Sequence, residues 1–407
     1  MRGYVFLLVF ALAMTLVSAH GLDRHHHRRD VYSQMRGGTG GGYGPRLNST
    51  GTRPTGARPT SFKVPTAQGK QARLFAWYSK TPHDESDAEQ VFIIIHGVKR
   101  NADSYWATLN NAWADARNMS LGSASPKSIR VAPLFFSSER DEPALNATTL
   151  GWGDPSGWTG GDGSTHPSGS NLSPFGALDA LLDHFSSMQK FPKVKRVTFV
   201  AHGAGAQVLQ RYAVLGADAK RSSLAVRYVI ADPSTMLYFT RDRPVEVNAT
   251  ECPRFNDFRY GFSNYSAPYP LAGSRASLFK RYLKRDVRYL IGEEDTRSDK
   301  GDQLCGGKAT GGPIRRDRSY NYWAYLRLLA GKASIPPYPG YFPALDKSKS
   351  KAANVTSVQN FPKSTATDRS RFRTAAFKHK LFKVPDAGHN YTAILRSSEG
   401  LTAIFGS

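Results

Sequence analysis

Cysteine is nearly absent: a chain of 407 residues holds two, Cys252 and Cys305. Neither belongs to a Cys-x-x-Cys pair or a metal-ligand spacing, which excludes zinc ribbons and thioredoxin-type redox designs. In an oxidising compartment the default for two cysteines is a single bridge, here tying the loop after one strand to the loop after the next. Long apolar runs are also scarce. The longest, Val5–Val17, follows Met1-Arg2 and ends at Val17-Ser18-Ala19, a small-x-small cleavage pattern. It is too short to span a bilayer comfortably, so residues 1–19 read as a secretory signal peptide and no transmembrane segment is expected. Acidic residues are in deficit, 32 against 55 basic ones, for a net charge of +23. Part of that excess lies in residues 1–60, and much of the rest lies in Arg275–Arg288 and Lys347–Lys383. Such a chain attracts an acidic polysaccharide or another anionic surface, unless the charge serves only as a solvated face. No nucleic-acid motif accompanies the charge, so no specific nucleic-acid binding is expected. No internal repeat is visible.

Glycosylation sequons, by contrast, are abundant. They begin at Asn48, Asn118, Asn146, Asn171, Asn248, Asn264, Asn354 and Asn390, where roughly two would arise by chance. With the apolar leader they point to a secreted protein, extracellular or cell-wall associated. Residues 20–60 are polar and rich in glycine and arginine, and read as a disordered basic tail or propeptide. His25-His26-His27 is taken as part of that tail rather than as a metal site. Residues 61–407 read as one α/β domain with insertions at about 137–173, 232–285 and 333–373.

Within that domain, apolar runs alternate with amphipathic stretches. Strands are expected at Ser61–Pro65 and Ala72–Tyr78, antiparallel at the sheet edge. Val91–Ile95, Ile129–Phe135, Arg196–Val200, Val226–Ala231, Asp286–Ile291 and Lys378–Val384 complete the set. Val91–Ile95 is apolar throughout, the mark of a strand covered on both faces. Helices are expected at Ser104–Asn118, capped by Asp103 or Ser104, and at Phe175–Phe185, Ala206–Leu215, Ser319–Leu329 and Thr392–Phe405. The alternation argues for a mostly parallel central sheet with helices on both faces. The loop 137–173 carries Trp152 and Trp158 among glycines and is expected to pack over the sheet. The stretch 232–285, with its Tyr265–Pro270 cluster, lies where a lid commonly sits.

The stretch Arg196–Ala206 organises the chain. A strand runs into Ala201-His202-Gly203-Ala204-Gly205 and a helix follows. A nucleophile elbow is Gly-x-Ser-x-Gly in that context. Gly205 fits the pattern, and Ala201 is small enough to stand for the first glycine. The serine position is Gly203, which carries no side chain. His202 is expected to point away, and Ser168 and Ser170 lie on a separate loop.

Together these features resemble the α/β-hydrolase fold superfamily over roughly Ser61 to Phe405, and more narrowly a group of secreted fungal-type members. The stretches that carry the resemblance are Ile95-His96-Gly97, Gly151-Trp152-Gly153-Asp154, Phe175–Ala180, Gln210-Arg211-Tyr212-Ala213 and Val384-Pro385-x-x-Gly388-His389. The resemblance implies His389 as base and Asp295 as the acid that orients it, with Glu294 or Asp232 as alternatives. It implies oxyanion donors at the backbone of Ala204 and of Gly97 or Val98, around a nucleophile position left vacant at Gly203. Two readings follow. The first is a catalytically impaired or inactive hydrolase-like protein that binds a small-molecule or ester-like ligand, or an acidic surface. The second is an esterase-like hydrolase with an atypical nucleophile or a water activated by His389. A glycan on Asn390 would crowd His389, which suits the first. No metal or cofactor is implied.

Overall fold

The computed structural model describes residues 47, 49–66, 69, 71–153, 156–332 and 369–407. The leader, most of the 20–60 tail, Asn48, Asn354, Asp154 and most of the 333–373 insertion lie outside the described residues.

Eight strands form the central sheet. They are β1 (Ala57–Val64), β2 (Ala72–Ser79), β3 (Gln90–Ile95), β4 (Ser128–Pro133), β5 (Arg196–His202), β6 (Ala225–Ala231), β7 (Asp286–Gly292) and β8 (Lys380–Val384). Their order is β1-β2-β4-β3-β5-β6-β7-β8. β2 runs antiparallel to both β1 and β4, and the rest pair in parallel. β1 begins at Ala57, so the ordered domain starts inside the stretch read as tail.

The central strands are apolar because both faces are covered. Along β3, Val91, Ile93 and Ile95 enter one core cluster, while Phe92 and Ile94 enter the other. This is the two-residue period of a strand. The first cluster receives α2 (Pro174–Phe185), α3 (Ala204–Leu215), α4 (Arg275–Lys284) and α5 (Arg315–Ala330). The second receives α1 (Ala102–Asn118) and the C-terminal pair α6 (Tyr391–Arg396) and α7 (Ser398–Phe405).

Three details differ from the sequence expectation. α1 starts at Ala102 after Asn101, and neither Asp103 nor Ser104 caps it. Its start is set by a distant contact: Arg100, at φ 55°, is held in a buried ion pair with Asp141. The single terminal helix is two, because Ser397 turns to an extended conformation and its hydroxyl accepts from Gly400 N–H at 2.9 Å. The third is α4, which lies inside the stretch read as a lid. Four apolar or aromatic residues, Leu278, Phe279, Tyr282 and Leu283, bury against α3 and the sheet.

Much of the basic stretch 275–288 is internal, not surface. Arg281 donates to the carbonyls of Val214 and Leu215, and Arg285 to those of Ala213 and Gly216. These are the carbonyls that a helix leaves unpaired at its C-terminal end, here that of α3. Arg288 donates to Thr402, Ala403 and Gly406 carbonyls, which anchors α7 to the sheet.

The loop 137–173 is folded. Phe136–Ser137, Gly151–Trp152 and Ser164–His166 make a small three-stranded sheet. Trp152 is buried, with Nε1 donating to the Asp162 and Leu172 carbonyls, and Trp158 stacks on Phe135. Arg211 of α3 donates to Thr159 O, Arg259 O and Thr235 Oγ1, so one side chain joins this loop and the 232–285 segment to the core. A disulfide between Cys252 and Cys305 links the loops after β6 and β7. Among the described residues no helix is long and apolar enough to cross a membrane.

Candidate functional site

The site lies at the C-terminal ends of β3, β5, β6, β7 and β8, where their parallel direction brings five turns together. β5 ends in a tight turn into α3. Gly203 sits at φ +60°, ψ −117°. That region is open to glycine and strained for other residues. Gly205 is required for a second reason: a β-carbon there would stand 2.5 Å from the His96 carbonyl oxygen. The helix therefore approaches β3 backbone to backbone.

Among the described residues outside the turn, a β-carbon built on Gly203 meets only His389, with Nε2 at 3.1 Å and Cε1 at 3.5 Å. His389 follows β8 and its side chain is 30% exposed. Its Nδ1 lies 2.9 Å from Asp295 Oδ2. Asp295 is itself gripped by Arg315 through two bonds of 2.9 and 2.6 Å. Burial would raise the Asp295 pKa, but hydrogen bonds and charge from His389 and Arg315 overcome it and hold the carboxyl far below the usual range. Burial lowers the His389 pKa against the raising effect of Asp295. The geometry is that of a neutral imidazole oriented by a carboxylate, with its other nitrogen facing a bare turn.

Of the three acids weighed from sequence, Asp295 is the one bonded to the imidazole. Asp232 Oδ2 stands 4.0 Å from His389 Nδ1. Asp232 occupies φ 43°, and its Oδ1 accepts from Gly292 N–H at 3.0 Å. Burial first, and then the charge of Asp295, push its pKa well above the carboxylate range. Glu294 is exposed and ties to the next loop only through its backbone, whose N–H donates to Ala387 O.

His202 does not point away, as the sequence suggested. Its ring lies 4.3 Å from that of His389, and its Nδ1 is 3.4 Å from the Tyr105 hydroxyl. Tyr105 in turn stacks on Tyr391, 4.2 Å between centroids, closing the floor of the site. Burial and the neighbouring His389 drive the His202 pKa well down. Ser170 is occupied elsewhere, its hydroxyl bonded to Ser164.

Opposite Gly203 is the turn after β3. His96 is buried, with Nδ1 donating to Gly97 O at 2.8 Å and Nε2 accepting from Phe135 N–H at 2.9 Å. Gly97 and Val98 remain half-buried, and Ala204 opens α3, where a backbone N–H has no partner within its helix. Arg100 fixes this turn. Its Nε and Nη2 reach Asp141 at 2.7 and 3.0 Å, and its Nη1 donates to Val98 O. Arg315, Arg100, Asp141 and Tyr105 were not singled out from the sequence. Each acts across a long chain separation, and no local pattern marks it.

Asn390 caps α6, accepting from Thr392 and Ala393 N–H groups through Oδ1. The six described sequon asparagines, Asn118, Asn146, Asn171, Asn248, Asn264 and Asn390, are all exposed.

No family model matches the chain. No curated protein matches it either. Solved structures do. Poly(aspartic acid) hydrolase-1 from Sphingomonas sp. KT-1 superposes with a TM-score of 0.51 at 20% identity, covering 86% of this chain and 98% of that one. The poly(3-hydroxybutyrate) depolymerase LpqC from Bordetella parapertussis gives a TM-score of 0.51 at 15% identity, covering 85% and 89%. At such identities the likeness establishes the fold: an α/β-hydrolase-type scaffold, in agreement with the strand order and the two helical layers.

Proposed function

We propose that this chain is a secreted α/β-hydrolase-like protein that performs no nucleophilic acyl transfer and binds a small-molecule or ester-like ligand on its hydrolase-type scaffold. One observation carries the reading. Within 4 Å of a β-carbon on Gly203 the only groups outside the turn are two atoms of His389. The position that should supply an attacking oxygen supplies none, and among the described residues outside the turn no hydroxyl or thiol lies within 4 Å of it. The acyl-enzyme route needs that atom more than any other member of the set. Export is supported by the disulfide and by the exposure of the described sequons. A glycan on Asn390 would stand beside His389, which a reacting site would disfavour.

The test is direct. The purified chain is treated with a serine-directed fluorophosphonate and assayed on short-chain aryl esters. Neither labelling nor turnover is expected. Labelling, or turnover abolished by His389→Ala, overturns the reading.

The intact His389–Asp295–Arg315 array favours one alternative, ester hydrolysis by a water that His389 activates beneath the amides of Ala204 and of Gly97 or Val98. Sites stripped of a triad member keep ~10³–10⁴-fold catalysis over water, so this reading predicts slow turnover without fluorophosphonate labelling. Binding to an acidic polysaccharide is a separate expectation from the net charge of +23. Retention on such a matrix should fall steeply with salt, and indifference to salt would remove it.

A further inference from the structure

The hydrolase-type arrangement leaves certain polar atoms over, and they lie together. His202 Nε2 and Asp232 Oδ2 are buried with no hydrogen-bond partner among the described residues. The two residues are 3% and 1% exposed. Buried polar atoms without partners are costly and call for a specific explanation. Each belongs to a side chain whose other polar atom is held by the fold: His202 Nδ1 by Tyr105 at 3.4 Å and Asp232 Oδ1 by Gly292 N–H at 3.0 Å. His389 stands beside them, its Nδ1 2.9 Å from Asp295 Oδ2 and 4.0 Å from Asp232 Oδ2. One ligand atom from each of His202, Asp232 and His389 lies within 4.8 Å of the others. With glycine at 203, no side chain rises from the turn beside them.

We propose that His202, Asp232 and His389 form a binding site for one divalent cation of the zinc type. The donor set is two imidazole nitrogens and one carboxylate oxygen, which suits zinc, cobalt and nickel and disfavours magnesium and calcium. Donors around tetrahedral zinc stand about 3.4 Å apart, given bonds of about 2.0–2.1 Å. The three donors, within 4.8 Å of one another, draw in to that spacing as the ion binds. Tyr105 and Gly292 become the outer shell, each fixing one ligand's orientation, and such partners are a recurrent feature of metal sites. The site concerns binding alone, so it goes beyond the function proposed above.

The test uses the full chain with His25, His26 and His27 each changed to Ala, so that the histidine run of the tail does not contribute. Zn²⁺ is titrated by calorimetry and Co²⁺ by visible absorption. One equivalent is expected, with Co²⁺ bands of tetrahedral intensity. Asp232→Asn keeps the size of the side chain and its Oδ1 acceptor; it and His202→Ala are expected to weaken binding by at least about 10–100-fold. Zn²⁺ is also expected to raise the thermal midpoint of the parent chain and not of Asp232→Asn. No bound equivalent in the parent, or equal affinity in Asp232→Asn, overturns the proposal. Should either variant fail to fold, X-ray absorption of the zinc-loaded parent decides: a shell with two imidazoles supports the site, and a shell of oxygens alone refutes it.

Discussion

At Gly203 the backbone takes a conformation that suits glycine, at φ +60°. Returning a serine there costs about 1–3 kcal/mol of strain. Its β-carbon would also press on His389 Nε2 at 3.1 Å. Gly203→Ser is therefore expected to lower the thermal midpoint by about as much as Gly203→Ala, since both carry the β-carbon. Only the serine variant should take a fluorophosphonate label, because only it places a hydroxyl against the imidazole. Equal labelling of both would place the reactive atom elsewhere. Asp295→Asn removes the charge facing Arg315, in a pair whose side chains are 1% and 5% exposed. Leaving one half of a buried pair costs about 3–5 kcal/mol, to be read from urea unfolding. His96 supplies a pH test. Burial lowers its pKa to about 4 in the folded chain, from an ordinary 6.5. Its neutral form uses both ring nitrogens, and a second proton would face Phe135 N–H. Below pH 6.5 the unfolded chain takes up a proton that the folded chain refuses. The stabilising contribution is thus whole above 6.5 and is lost as pH falls towards 4. The loss is on the order of 2–3 kcal/mol, and His96→Gln should flatten that part of the stability curve.

Among elements, legibility followed the range of the forces. β3 and β5 were readable because burial on both faces demands unbroken apolar runs, and their bounds shifted by at most two residues. The elbow was readable because strand, small residues and helix are contiguous. α4 was not: its composition is basic, and only the packed structure shows that Arg281 and Arg285 cap a neighbouring helix. The start of α1 was missed because it depends on Asp141, 41 residues from Arg100. His202 was misjudged because its orientation is set by Tyr105 of α1 and by His389 after β8, both far away in the chain. The disulfide was foreseen, and its separation of 53 residues makes it a long tether. Replacing Cys252 and Cys305 together by Ser is expected to cost about 2–5 kcal/mol. The loss should show first as proteolysis around the two cysteines, where a small satellite core consists of Val247, Cys252, Phe255 and Ala309.

For the whole molecule, guanidinium groups serve as internal joints. Arg100, Arg211, Arg227, Arg243, Arg288 and Arg318 are all under 2% exposed. Arg243 alone donates to the carbonyls of Thr240, Asp242, Phe255 and Tyr260. Arg288 joins Asp286 to the last turn of the chain. Arg288→Lys should therefore cost about 2–3 kcal/mol despite keeping the charge, because an ammonium cannot span those acceptors; a melting curve that matches the parent would show the fork is dispensable. A consequence reaches into protein chemistry at the bench. Reagents that acylate amines should decorate this molecule while leaving it folded, since its lysines are not the joints. Dicarbonyls that capture arginine should meet slow, all-or-none modification, gated by unfolding, at the very residues that hold its layers together.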